Sequence, residues 1–491
     1  MSLGDSIRGG ARWLFFGSVG GQILAFGFGI ALARLLAPED FGMVATIQIF
    51  TGLAGFVAAG GMGQALVRAK EVEQADYDLL FTLQLLIGAG IFLMFFLVAP
   101  WFAEWYHMPI YADLLRVMAI SFLVRPFYNV PSNILFRAMD FKSKTLVGLT
   151  CSLVYSIMSL IMALLGYGPW SLIISSLMSP LIGIFMLARF AHWRPGLSFD
   201  FRRAREIVRY GYLVSANNIV SYIRGQISNF ALSRLLGPGA VGLFNKADSL
   251  SQQPLGLISG AVYEPVMRAI AKSQDNLDLV KYLYLRTIKL VCLYTFPAYV
   301  LLSWLAQDLI LFLFGAKWLD SATPLSILAI AGLFMCLGHP AGALLAAINR
   351  LGRELVVQVT SVAVLALGLA IGLQYGLVGA AWALVATHVV SALHISWVAS
   401  RELGIKLSAI LATTIPGLYL GTIVLATFWI VHAIFDDTLW SPFVRLSVYG
   451  TVALVSLVIA SRVSPFEVVR GELNKIIGFV KNKCRLQGGS T

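Results

Sequence analysis

Residues 31–43 read ALARLLAPEDFGM and residues 231–243 read ALSRLLGPGAVGL. At a constant offset of 200, Ala31, Leu32, Arg34, Leu35, Leu36, Pro38 and Gly42 recur as Ala231, Leu232, Arg234, Leu235, Leu236, Pro238 and Gly242. Arg, Pro and Gly among seven ungapped matches set this apart from chance similarity between apolar stretches. Locally each copy reads as a helix-ending turn, which by itself does not explain the constant spacing. Weaker echoes extend the repeat. Pro131 and Leu135 match Pro340 and Leu344, and Leu165-Gly166-Tyr167-Gly168 matches Leu373-Gln374-Tyr375-Gly376.

Around these copies lie 491 residues, 58% hydrophobic and 12% charged. A soluble globular chain carries about 25% charged residues, so a soluble enzyme, a nucleic-acid-binding domain and a disordered regulator are excluded. No polar stretch is long enough to be a soluble head on a single anchor. At about 20 residues per crossing, the apolar runs predict an all-α polytopic membrane protein with about 14 spans. They lie near 13–33, 41–67, 79–103, 114–136, 145–166 and 169–191, then 210–235, 240–265, 283–305, 322–348, 355–375 and 377–399, with a final pair near 409–433 and 443–463. The second, eighth and tenth are long enough to tilt or bend. Both repeat copies start on the same side, which predicts two parallel six-helix lobes: 1–199, and 200–408 with a leading interfacial helix. Spans 13 and 14 fill 409–464, and 465–491 forms a basic amphipathic tail. Parallel repeats about an axis along the membrane normal are a transporter architecture.

With both termini in the cytoplasm, 28 of the 36 Lys and Arg fall in cytoplasmic segments and five (Arg34, Arg116, Arg234, Lys317, Arg445) in outer ones. That bias obeys the positive-inside rule, so the net charge of +12 is orientation charge and signals no nucleic acid. Arg8 and Arg12 before an apolar run ending Ala31-Leu32-Ala33 imitate a signal peptide. The run's intact partner in the second half favours retention. No Walker loop, HExxH motif or CxxC pair occurs, so no cofactor or metal is expected. Asp76-Tyr77-Asp78 has a spacing that some glycosyltransferases use for a metal-nucleotide site, but on a short connection without a nucleotide-binding domain it reads as a solvated loop or helix cap.

ALARLLAPEDFGMVA at 31–45, VRPFYNVP at 124–131 and FDFRRAREIVRYG at 199–211, leading into Ser215-Ala216-Asn217-Asn218, resemble the Wzx-type polysaccharide flippases of the multidrug/oligosaccharidyl-lipid/polysaccharide exporter superfamily, in its long exopolysaccharide branch. The resemblance covers nearly the whole chain. It implies alternating-access transfer of an undecaprenyl-diphosphate-linked oligosaccharide across the bacterial inner membrane, without catalysis. Membrane lipids, a polysaccharide polymerase and assembly proteins are the implied partners.

Charges inside spans are the informative residues, because each costs about 3 kcal/mol at mid-bilayer on insertion scales. Arg125 shares a face with Asn129 and Ser132. Asn217, Ser221, Arg224 and Ser228 form an i, i+4, i+7, i+11 stripe in the seventh span. In the eighth, Lys246, Ser249 and Gln253 share a face, with Asn245 and Gln252 alongside, while Asp248, two residues from Lys246, points elsewhere. The positions equivalent to Arg224, Lys246 and Asp248 in the first half are Leu24, Thr46 and Gln48, so the shared scaffold does not demand these charges. On one reading Arg125, Arg224 and Lys246 attract a diphosphate, Arg by bidentate contact and Lys as a point charge. The Asn, Gln and Ser side chains then bond sugar hydroxyls, and Asp248 and Glu264 couple an ion. On the other, Arg224 or Lys246 pairs with Asp248 or Glu264, and Arg125 snorkels or bonds to the backbone freed near Pro126. His339 reads as a helix-packing histidine, and Arg34 and Arg234 as scaffold. A MATE-like drug exporter, a membrane-embedded polymerase or ligase, and a non-catalytic scaffold are the alternative functions. The outer connections are short for an enzyme.

Overall fold

The computed structural model describes residues 3–68, 71–273, 275–435, 440–472 and 474–475. Among these residues every regular element is helical. The chain divides into two compact units, Met1–Gly242 and Leu243–Thr491.

The first unit contains α1 (Leu3–Leu35), α2 (Pro38–Ala59), α3 (Met62–Arg68), α4 (Gln74–Trp105), α5 (Ile110–Ala119), α6 (Ser121–Arg137), α7 (Phe141–Leu164), α8 (Pro169–Ala191) and α9 (Phe201–Leu235). The boundary falls within α10 (Pro238–Ser251), and the second unit continues with α11 (Gln253–Lys272), α12 (Leu277–Trp304) and α13 (Ala306–Leu313). After a 3-10 turn come α14 (Ala322–Ala347), α15 (Leu351–Gly372), α16 (Gly376–Leu403), α17 (Leu407–Ala412), α18 (Ile415–Ile434) and α19 (Pro442–Val463).

Nine helical segments among the described residues are long and apolar enough to cross a membrane, and two of them, Gly352–Leu403 and Leu407–Ile434, each take in two consecutive α-helices. Their outward faces are themselves apolar: Leu97, Phe185 and Leu367 are 68, 78 and 68% exposed. Contiguous apolar surface of that kind has no stable place in water, so the protein is a multi-pass membrane protein. The first unit packs around Ile47, Tyr111, Leu114 and Phe122; the second around Tyr284, Cys292, Tyr299 and Leu344.

Local chemistry sets where helices start and stop. Asp40 accepts the Ala37 N–H at 2.9 Å and caps α2. Asp76 does the same for the Glu73 N–H at the start of α4, so one carboxylate of the Asp-x-Asp pair is a cap. The second predicted span is two helices, because Gly60 and Gly61 both take φ of 57°, a left-handed conformation that glycine adopts without a Cβ penalty. The eighth is likewise two, parted at Gln252, whereas the tenth runs unbroken as α14. Of residues 200–209, expected to form an interfacial helix before the seventh span, 201–209 are the first residues of α9. Of the tail helix expected from 465, residues 467–472 and 474–475 are helical, and 476–485 lie outside the described residues.

The repeated turns meet each other. A methyl on Gly42 would overlap the Pro238 carbonyl, and one on Gly242 would overlap the Pro38 carbonyl. The equivalent residues of the repeat thus form one reciprocal contact. Ion pairs take up several charges that the sequence assigns only to orientation. Arg445 lies 3.3 Å from the buried Asp308, and Arg350 and Arg353 lie 3.3 and 2.5 Å from Glu402.

Candidate functional site

Arg125 lies one turn into α6, just before Pro126. Proline at 126 has no N–H for the Phe122 carbonyl four residues back, and Gly88 of α4 packs directly on that carbonyl. The Arg125 guanidinium sits over the Phe122 ring at 4.8 Å and against Gly55 of α2, where a side chain would collide with Nη1. No carboxylate pairs with Arg125 among the described residues. It lines a cavity of about 250 Å³ together with Ser121, Tyr128, Asn129, Cys151 and Ser176. The structure therefore brings two predicted residues, Arg125 and Asn129, to one cavity walled by α6, α7 and α8. Ser132 does not line it.

Tyr222 of α9 interacts electrostatically with Arg125, and its hydroxyl donates to the Gln48 carbonyl at 2.6 Å. Its ring occupies the space that a Gly52 side chain would fill and packs on Phe56 at 5.3 Å. Sequence reasoning missed Tyr222. The signal available was the Gly52–Gly55 spacing, which opens one face of α2 to a large residue from a neighbouring helix. Farther along α9, Ser221 and Arg224 are exposed and Ser228 is half-buried. Arg224 makes no ion pair among the described residues. The Asn217 side chain lies outside the described residues.

In the second unit, Lys246 of α10 points its ammonium at two aromatic rings, Phe314 at 5.2 Å and Trp318 at 5.6 Å. Such cation–π contacts are worth about 2 kcal/mol when desolvated, which offsets part of the cost of the charge. Asp248 forms no ion pair among the described residues. Its carboxylate accepts from Gln252 Nε2 at 3.4 Å, and its carbonyl accepts from the Ser251 hydroxyl at 2.8 Å. Both contacts lie where α10 gives way to α11. Gln253 donates to the Ser249 carbonyl at 3.3 Å, Ser249 is exposed and Asn245 is half-buried. The Glu264 side chain lies outside the described residues.

Arg34 and Arg234 occupy the last turns of α1 and α9, where a cation complements the helix dipole. Arg234 also sits over Trp105 at 5.7 Å. His339, within α14, is exposed. No cluster of metal-ligating side chains occurs among the described residues. What the geometry offers is the Arg125 guanidinium beside the amide of Asn129 and the hydroxyls of Ser121 and Ser176 in one cavity.

A family profile described as polysaccharide biosynthesis protein matches residues 31–323. The lipopolysaccharide biosynthesis protein WzxC of Escherichia coli (strain K12) is 26% identical over 360 residues, 71% of each chain. The teichuronic acid biosynthesis protein TuaB of Bacillus subtilis (strain 168) is 25% identical over 417 residues, 83% of this chain and 85% of its own. Among solved structures, the lipid II flippase MurJ in an inward closed conformation matches with a TM-score of 0.71 at 17% identity, covering 91% of this chain and 98% of its own. An inward-facing multidrug resistance MATE family transporter of the MOP superfamily matches at 0.60 and 17% identity, over 80 and 96%. The fold is the one these two proteins share.

Proposed function

The chain belongs to the polysaccharide biosynthesis protein family, and from that premise we propose that it is a flippase. It carries undecaprenyl-diphosphate-linked oligosaccharide units across the bacterial inner membrane, for exopolysaccharide or lipopolysaccharide assembly, and performs no covalent step. The observation that carries this reading is Arg125, a cation without a carboxylate partner among the described residues, lining a cavity with Asn129. A buried charge left without a counter-ion costs several kcal/mol; an anionic ligand supplies the missing partner. At about 250 Å³ the cavity is smaller than the roughly 300–1,000 Å³ of whole small-molecule sites. It therefore takes part of a headgroup, with the lipid tail left in the bilayer.

Arg224 and Lys246 are further cations for the diphosphate, and Asn217, Ser221, Asn245, Ser249 and Gln253 bond sugar hydroxyls. The two lobes, 1–199 and 200–408, expose these residues to one side of the membrane and then the other, with 409–464 alongside and both termini cytoplasmic. Asp248 and Glu264 take up the coupling ion. A cavity lined by Arg125 disfavours the cationic substrates of a drug exporter, because like charges repel at short range.

The test is complementation of a deletion strain with wild type, Arg125→Ala, Arg224→Ala or Lys246→Ala, measuring which face of the membrane holds the lipid-linked sugar. Loss of one charge-assisted phosphate contact removes about 1.5–3 kcal/mol, so each variant is expected to lower export roughly 10- to 100-fold. Lipid-linked sugar should then accumulate on the cytoplasmic face. Normal export by all three variants would rule out these cations as diphosphate contacts.

A further inference from the structure

One face of α12 carries two chemistries in succession. Tyr282, Arg286 and Lys289 follow one another at spacings of four and three, and the same stripe continues as Leu293, Pro297 and Leu301. These spacings put all six on one helix face. The polar end lines a cavity of about 360 Å³ with Glu472 and Lys475 of the tail. The apolar end lines a groove of about 430 Å³ against Leu454, Leu457 and Val458 of α19. Glu472 borders both, which makes them one continuous depression with a charged mouth.

The charges at the mouth do not cancel. Glu472 is already satisfied: it accepts from Lys475 at 2.6 Å and from the Tyr294 hydroxyl at 2.9 Å. Arg286 donates to the Tyr282 hydroxyl and its charge also acts on Glu472, but neither Arg286 nor Lys289 forms an ion pair with a carboxylate among the described residues. Two cations thus face a groove whose walls beyond them are mostly apolar. The length is also informative. Lys289 to Leu301 is twelve residues, about 18 Å at 1.5 Å per residue, and half of a roughly 30 Å hydrocarbon core is about 15 Å. The depression matches a molecule with an anionic head and an acyl chain one leaflet long.

We propose that this depression is a binding site for an anionic glycerophospholipid. The phosphate lies between Arg286 and Lys289, and one acyl chain lies between α12 and α19. A long isoprenoid diphosphate shares the anionic head, but its tail outruns a groove of one leaflet's depth. The site is distinct from the Arg125 cavity and does not depend on the transport reading.

The purified full-length chain, incubated with equal amounts of phosphatidylglycerol and phosphatidylethanolamine of identical acyl chains, is examined for retained lipid by native mass spectrometry. Wild type is expected to prefer phosphatidylglycerol on the order of tenfold, since each basic residue near a membrane surface attracts anionic lipid appreciably. The Arg286→Gln/Lys289→Gln variant should bring the ratio close to one, and Arg286→Lys/Lys289→Arg should keep the preference. Leu457→Trp, which fills the groove, should lower retention of both lipids. Should the double Gln variant misfold, Lys289→Gln alone carries the measurement, with at least a threefold fall in the ratio expected. An unchanged ratio in the Gln variants, or full retention by Leu457→Trp, overturns the proposal. So does displacement of phosphatidylglycerol by an equal concentration of polyprenyl diphosphate, which would assign the groove to that lipid instead.

Discussion

At the scale of single residues, the most constrained positions are glycines that let backbones touch. Gly42 and Gly242 recur in the sequence at the offset of 200, so their importance is legible there. That each meets the proline carbonyl of the other copy is visible only in three dimensions, because an offset says nothing of which turns pack together. The contact has a measurable consequence. Glycine to alanine inside an ordinary helix stabilises by up to about 1 kcal/mol, and Gly90→Ala in α4, where nothing lies within 4 Å, should follow that rule. Gly42→Ala and Gly242→Ala should instead destabilise by roughly 1–3 kcal/mol, the usual cost of overpacking. Thermal unfolding of the three variants in detergent compares them directly. Equal melting temperatures would mean that the turns do not bear on each other. Arg125 obeys the same logic: its identity is legible as a charge inside an apolar run, whereas the Gly55 face and Tyr222 that hold it belong to other helices.

At the scale of elements, hydropathy locates the long apolar helices well and their interruptions poorly. Apolar runs carry no information on backbone hand, so the second span reads as one stretch although Gly60 and Gly61 break it. The break is occupied from outside: Gly211 of α9 packs against the Gly60 carbonyl, and Gly60 donates its own N–H to Phe56 to close α2. Gly60→Ala must hold an L side chain in the left-handed region, which costs about 1–2 kcal/mol, and should lower the unfolding temperature. A variant as stable as wild type would show that the segment can straighten into one helix. At 200–209 a run of charges suggests an interfacial helix before the span that follows; residues 201–209 form the start of α9, which runs on through Gly211.

At the scale of the whole molecule, the tail is tied to α12 through charge. Burial alone would raise the Glu472 carboxyl. Hydrogen bonds from Lys475 and Tyr294, with the charges of Lys475 and Arg286, outweigh it and hold the group below its ordinary value of 4.5. A lowered folded value means that the stabilisation is complete above the ordinary carboxylate range and is lost as pH falls through the lowered one. Limited proteolysis of the tail should accordingly be independent of pH near neutrality and accelerate only in that acidic window, and Glu472→Gln should abolish the pH dependence. Acceleration of the same size in the Gln variant would place the titration on another group. Membrane residence, helical class and the internal repeat were determined by sequence alone, because bulk apolarity, helical spacing and a constant offset are properties of the chain read in one dimension. Tertiary structure decided which charges are spoken for. Lys246 against Phe314 and Trp318, Arg445 on Asp308, and Arg125 beside Gly55 and Tyr222 all join residues of different elements. A charge inside a membrane protein takes its meaning from whatever distant segment folding sets beside it.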